Sequence, residues 1–241
     1  MKKYSHLLVL IILALFSTGQ ANGQFFRAIH GNGNIVDDVR DVRSTFTGIK
    51  VSSGIDIILT QDNNQSVRVE ADNNIIEYIV TKVENGVLKV YFDRSITFAG
   101  SKKVYVTMRE IERLSTSSAG DIIGTNLLKC ADLSLTATSA GDIKLEVQAD
   151  HIDINISSSG DIDLGGECRT MKASLSSAGD LNAFNMKARE VDINVSSAGD
   201  ASVYASERLE ARASSAGDIR YLGDPEYVNA HSSSAGSIRK R

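Results

Sequence analysis

From about residue 109 onward the chain alternates apolar and polar positions with a period of two, and this pattern is interrupted about every nineteenth residue by Ser-Ser-Ala-Gly-Asp-Ile or a close variant. The glycines of these phrases are Gly120, Gly141, Gly160, Gly179, Gly199, Gly217 and Gly236, spaced 21, 19, 19, 20, 18 and 19 residues apart. Eight positions before the glycine stand Leu133, Ile152, Met171, Val191, Leu209 and Val228. Six before stand Leu114, Leu135, Ile154, Ala173, Ile193, Ala211 and Ala230, and four before stand Ala137, Ile156, Leu175 and Val195. Two after come Ile122, Ile143, Ile162, Leu181, Ala201, Ile219 and Ile238. Asp, Asn, Ser, Lys and Arg fill the positions between. Such alternation marks strands with one dry and one wet face.

Each repeat therefore predicts a strand, a tight turn, a second strand and a looser turn. Ser-Ala-Gly-Asp is the tight turn, and a positive φ is expected at its glycine. The looser turn takes up the length variation, with Gly124-Thr125-Asn126, Gly165-Gly166 and Gly223-Asp224-Pro225 in different copies. The single proline thus falls outside the ladders, where its missing N–H does no harm. One two-strand repeat encloses no core, so copies must stack at the strand spacing of ~4.8 Å. The prediction is an all-β, right-handed parallel β-helix of about 19-residue coils, since parallel crossovers are right-handed. Two main sheets should meet at the Ser-Ala-Gly-Asp edge. An antiparallel sandwich is disfavoured, because hairpins would not return the same turn at each period.

Ahead of residue 109 the pattern is less regular. Residues 46–61 carry what reads as an earlier, longer version of the turn at Ser52-Ser53-Gly54-Ile55-Asp56. Residues 66–71 and 104–108 alternate as strands. Residues 72–80 suggest one short helix capped by Asp72 or Asn73. Asn85-Gly86 lies between apolar-alternating runs, a strong hairpin signal. This half is expected to start the β-helix and cap its end, within a single domain spanning residues 40–241 and regular from about 109.

The first residues predict export. Lys2 and Lys3 precede an apolar run at 7–16, and Ala21-Asn22-Gly23 offers small residues for cleavage. The run is too short to cross a bilayer, which needs about 20 residues, so residues 1–23 read as a signal peptide. Gln24 then begins a flexible leader, residues 24–39. No cysteine follows the run, so lipid attachment is not expected, and no transmembrane segment is expected in the mature chain. Its destination is the periplasm, the cell surface or the medium.

Composition narrows the function classes. The formal charge is −4, and losing Lys2 and Lys3 makes it −6. An acidic chain is a poor partner for phosphate, which argues against nucleic acid. Trp is absent and aromatics are 6% of residues, which is thin for a cleft that stacks sugars. Cys130 and Cys168 fall two coils apart, ~9.6 Å at the strand spacing, beyond the disulfide Cα separation of about 4.4–6.8 Å. Two buried free thiols are predicted.

The chain resembles the bacterial GIN-domain family of autotransporter-adhesin heads. The matching stretches are Phe46-Thr47-Gly48-Ile49-Lys50-Val51 leading into Gly54-Ile55-Asp56-Ile57, then Val67-Arg68-Val69-Glu70-Ala71-Asp72, then Asn85-Gly86-Val87-Leu88-Lys89-Val90. The repeated Ser-Ala-Gly-Asp turns complete the likeness, which covers most of the mature chain. The resemblance implies a pectate-lyase-like β-helix, an adhesion role and no assigned catalytic residues.

Candidate chemistry gathers at the turn. Asp121, Asp142, Asp161, Asp180, Asp200 and Asp218 follow the glycines, so stacking puts them ~4.8 Å apart on one edge. Ca²⁺ needs at least about six oxygens, which one carboxylate per coil supplies poorly, so hydrogen bonding within the turn is the preferred reading. As a glycosidase pair they would all point the same way and leave no room for substrate between them. Ser118, Ser139, Ser158, Ser177, Ser197, Ser215 and Ser234 form a serine ladder with no histidine fixed beside it by the repeat. His151 reads as a solvated residue near a looser turn, and His30 as part of the leader. Arg239-Lys240-Arg241 reads as a cationic guard against edge-to-edge pairing.

No catalytic, cofactor-binding or metal-ligating residue is assigned, and no cofactor is expected. The chain reads as a non-enzymatic exported binding or adhesion module of the cell envelope or surface, with a glycan or a surface protein as its ligand. Two alternatives stay open. One is a degenerate or active polysaccharide-processing β-helix enzyme, which a groove with aromatics and converging carboxylates would favour. The other is a purely structural envelope protein.

Overall fold

A computed structural model describes residues 28–241. The expected signal peptide and the start of the leader lie outside the described residues. The fold is a β-helix of about seven turns with ~19-residue coils and a less regular N-terminal part. Its ladders are parallel throughout the repeats, and every phrase stands over its copy in the next coil. Asp142 pairs with Asp161, Asp161 with Asp180 and Asp180 with Asp200. The column Leu133, Ile152, Met171, Val191, Leu209, Val228 is in register from end to end. Its first five members are buried in one continuous core.

The looser turn is part of the ladder. Asp142–Ser157, Asp161–Leu175, Asp180–Val195 and Asp200–Ala213 are single long strands bent round that corner. Gly165 and Gly166 sit inside one of them and pair with Asn185 and Met186. Length variation is absorbed as expected, in register shifts between Asp163/Gly165, Ala183/Lys187 and Ala188/Glu190. Pro225 lies in a break of the ladder, between Asp218–Leu222 and Tyr227–Ser232.

At the tight corner the positive φ falls on the two residues before the glycine. Ser177 and Ala178 have φ of 55° and 59°, Ser197 and Ala198 of 55° and 62°, and the other copies are alike. The Gly179 N–H closes the turn onto the Ser176 carbonyl at 3.2 Å. Two left-handed central residues make this a type I′ geometry. The expectation of a positive φ at the glycine is therefore corrected, and glycine is needed for a different reason. It faces the inside of the corner, where a Cβ on Gly160 would stand 2.5 Å from the Ala137 carbonyl oxygen of the coil below. The strained Ser-Ala pair is held by its neighbours. The Ala178 N–H reaches the Ser197 carbonyl and the Ala198 N–H the Ser215 carbonyl, each at 3.1 Å.

The N-terminal part departs most from sequence order. Gly48–Val51 pairs on one side with Arg113–Thr116 and on the other with Val87–Phe92. Asp56–Gln61 likewise lies between Asp121–Gly124 and Lys102–Met108. The first coil of the chain is thus the second in space. The chain passes below it, builds the base, and climbs back to residue 113. The base is closed by antiparallel strands: Ile79–Glu84 on Val87–Phe92 through the Asn85-Gly86 turn, and Ser66–Asp72 on Lys102–Met108. Ile35–Val39 adds an outer strand on Ser66–Asp72, and Ile29–His30 pairs with Ile96–Phe98. Much of the stretch expected as a leader is therefore part of the base.

Two local expectations change here. Residues 76–78 form only a 3-10 turn, and no side chain caps it. Asp72 is instead fully buried and accepts hydrogen bonds from the N–H groups of Gly33, Gly100 (2.7 Å) and Ser101 (3.2 Å). Ser52-Ser53-Gly54-Ile55-Asp56 is no longer than the later turns. Ser53 and Gly54 take the left-handed positions at φ 67° and 65°, and Ile55 occupies the glycine's place, fully buried. The chain beneath leaves the corner at this level to form Ile96–Phe98.

Candidate functional site

The strand face before each glycine turns one set of side chains into the core and the alternate set outward. Because the coils are in register, the outward set forms straight columns. One column is Asp132, His151, Thr170, Glu190, Arg208, Tyr227, and the next is Ser134, Asp153, Lys172, Asp192, Glu210, Asn229. Their members from Asp132 to Arg208 and from Ser134 to Glu210 line a trough of about 830 Å³. Adjoining it on the same face, Thr136, Asn155, Ser174, Asn194 and Arg212 line a second trough of about 770 Å³ with the serines of the corner. The first is charged, with seven acidic and four basic side chains. The second is built mainly of hydroxyls and amides.

Part of the trough charge is neutralised locally. Arg208 bonds Glu210 through Nε at 3.2 Å and through Nη2, and its guanidinium lies 4.2 Å above the Tyr227 ring. Arg212 reaches Asp192 and Glu210, each at 3.5 Å. The hydrogen bonds from Arg208 hold the Glu210 carboxyl below its usual range. His151 is half-buried in this trough, which corrects its reading as a solvated residue. Its Nε2 faces Arg169 Nη2 at 2.6 Å and its Nδ1 faces Thr170 Oγ1 at 2.6 Å. Guanidinium only donates, so Nε2 is the acceptor of this pair, which leaves Nδ1 to donate to Thr170. That orientation is opposite to the one by which a base would activate a hydroxyl.

The aspartate column has an additional member. Asp56 stands in register below Asp121, with Lys103 in register beneath it and Ser237 above Asp218 at the far end. Burial and then the neighbouring aspartates push the carboxyls of Asp121, Asp161 and Asp180 up from the usual value of 3.8. The N–H of the next Asp partly offsets this in each case. These raised acids lie across the corner from the troughs, so no carboxyl pair of this column faces a trough. Asp56 was detectable in the sequence by aligning Ser-Ser-Gly-Ile-Asp with Ser-Ser-Ala-Gly-Asp. The troughs gave no motif, because their residue types differ from coil to coil and only stacking brings them together.

Cys130 and Cys168 share a column with Ala149 between them, and both are free thiols. Burial raises them to about 11 and about 12, respectively. Cys168 is buried and Cys130 partly so.

A family model described as "Putative auto-transporter adhesin, head GIN domain" matches residues 45–225. The chain belongs to this family. No curated protein sequence matches it. Among solved structures, a putative adhesin from Bacteroides fragilis superposes with a TM-score of 0.82 at 20% identity, covering 89% of this chain and 100% of that one. A putative lipid binding protein from Parabacteroides distasonis gives 0.72 at 26% identity, with coverage of 89% and 100%. A putative adhesin from Parabacteroides merdae gives 0.71 at 19% identity, covering 89% and 99%. The family and these folds agree with the solenoid described above. No helix among the described residues is long and apolar enough to cross a membrane.

Proposed function

We propose that this protein is an exported, non-catalytic binding module of the cell envelope or surface, which holds an extended glycan along the two adjoining troughs. The observation that carries this reading is the in-register polar face, which presents hydroxyl, amide or charged side chains at the coil spacing along the stacking axis. A polymer with regularly spaced hydroxyls meets a polar side chain at each step of the coil spacing along such a face. A protein ligand would need apolar and aromatic anchors. Among the described residues the exposed large aromatic group in these outward columns is Tyr227, at the last coil. Membership of an adhesin family agrees with a binding role.

An array of immobilised glycans and matrix proteins, probed with the mature protein, tests the proposal. At least one linear glycan should bind, and Asn155→Ala together with Lys172→Ala should weaken it at least tenfold without altering the far-UV spectrum. Binding to matrix proteins alone would overturn the glycan reading. Release of shortened glycan fragments would overturn the non-catalytic one.

A further inference from the structure

The two ends of the solenoid are finished differently. At the base, antiparallel strands close the core, as described above. At the other end the last coil, Tyr227–Ser232 and Ser237–Lys240, pairs only with the coil beneath it. Its inward column member Val228 is 46% exposed, whereas Leu133, Ile152, Met171, Val191 and Leu209 are at 2% or less. Ala230 and Ser232 are exposed too, and Ile238 only half-buried. No described residue covers this end of the core.

The backbone of the same coil is open as well. Ser233, Ser237 and Arg241 donate their N–H groups down to Ala213, Gly217 and Tyr221 at 2.9–3.0 Å. Odd-numbered positions therefore face the coil below, and by strand alternation Val228, Ala230, Ser232, Ile238 and Lys240 aim N–H and C=O away from the molecule. The basic residues expected to guard this edge are engaged on their own part of the molecule. Arg239 Nε bonds Ser237 Oγ at 2.8 Å, Lys240 pairs with Asp224 at 2.7 Å, and the Arg241 guanidinium lies 5.6 Å from the Phe184 ring centroid.

We infer that this open face is an interface for a second copy of the chain, docked end to end about a two-fold axis. A two-fold reverses strand direction, so the two parallel edges meet as antiparallel pairs and their outward N–H and C=O groups satisfy each other. Val228, Ala230 and Ile238 of each copy then close one another's core. The rim carries both signs, Asp224 and Glu226 with Arg239, Lys240 and Arg241, so it is compatible with a copy of itself. Antiparallel strands already close the core at the base, so head-to-tail docking would bring no second open core to this end, and assembly is expected to stop at a pair. One coil's end is smaller than a standard interface of ~800 Å² per partner, so the pair is weak and concentration-dependent.

Sedimentation velocity of the mature protein, from low micromolar to near-millimolar concentration, reads this directly. Wild type should pass from monomer to dimer, and no larger species should form. Val228→Asp places a carboxylate in the closed core and should weaken dimerisation at least tenfold, with an unchanged circular dichroism spectrum. Ile238→Arg should do the same from the other strand, which keeps the test valid if one variant fails to fold. Val39→Asp, at an exposed position on the base, should dimerise like wild type. A wild type that stays monomeric throughout overturns the inference, as does a dimer that survives both end variants or is lost with Val39→Asp.

Discussion

Gly160 and Gly86 represent the two regions of the molecule. In the stack, Gly160 has an ordinary φ, but a Cβ would meet the Ala137 backbone at 2.5–2.6 Å. In the base, Gly86 has φ +73° and nothing within 4 Å of where its Cβ would be. The first glycine is dictated by the next coil and the second by its own turn. The same division runs through the polar groups. The stack holds strained Ser-Ala pairs and a column of like charges in place by repetition, each coil hydrogen-bonded to identical neighbours. The base uses single contacts that occur once, such as Asp72 on three backbone N–H groups, or Gln61 bonded to Arg109, Asn126 and Lys129. Repetition tolerates local strain because many equivalent bonds share it, whereas a unique clamp has no substitute.

The largest effect should come from breaking a clamp in the base. Asp72→Ala removes a fully buried carboxylate from the N–H groups of Gly33, Gly100 and Ser101, and should cost ~3–4 kcal/mol, at about 1.5–3 kcal/mol for each hydrogen bond to a charged acceptor less what water restores at the exposed Gly33 and Gly100. Native-state hydrogen exchange should show loss of protection over residues 29–39 and 66–108 before the repeats. Uniform loss along the chain would mean that the two regions unfold as one.

Next come the glycines. Gly160→Ala should cost ~2–3 kcal/mol in urea unfolding, because backbone cannot yield as a side chain does. Gly86→Ala should cost only ~1 kcal/mol, the ordinary penalty for a left-handed Ala. Equal costs would remove the distinction between crowding and conformation.

Acid should separate the regions by sign. Burial alone would raise Asp72, but its backbone hydrogen bonds hold it below 3.8. Its contribution is present above that pH and lost as pH falls through 3.8 toward its folded value. Asp121, Asp161 and Asp180 are raised above 3.8, so the folded stack takes up protons first and gains stability as pH falls from 7 toward 3.8. The net gain should be below ~1 kcal/mol, since exposed charges are screened. Melting of the repeats should therefore rise on mild acidification and the base should loosen only below that range. Asp161→Asn with Asp180→Asn should raise the neutral-pH melting temperature and flatten the rise.

The smallest effect is a gain. Ala178→Gly relieves a φ of 59° and should stabilise by ~0.5 kcal/mol, the left-handed relief being partly offset by glycine's greater unfolded freedom. A loss would show that the Ala methyl contributes packing at the corner.

Much of this was legible in the chain. The apolar columns at eight, six and four before the glycine and two after it are the core columns, because a period of two in register admits only one inward set. The Asn85-Gly86 hairpin and the free, separated cysteines also followed from local rules and strand spacing. What the sequence could not rank was any property set by a neighbour in space. The conformation at Ser-Ala-Gly-Asp depends on the carbonyl of the coil below, so the glycine's true reason was hidden. Asp72 looked like a helix cap because its partners, Gly33, Gly100 and Ser101, are distant in sequence. The coil at residues 48–61 sits between later coils because the base strands beneath it need a parallel edge to close against. The troughs exist only because stacking aligns residues nineteen apart. Periodicity determined the solenoid and its core; tertiary contact decided its order, its ends and its outer face, because those energies arise between residues that no local pattern connects.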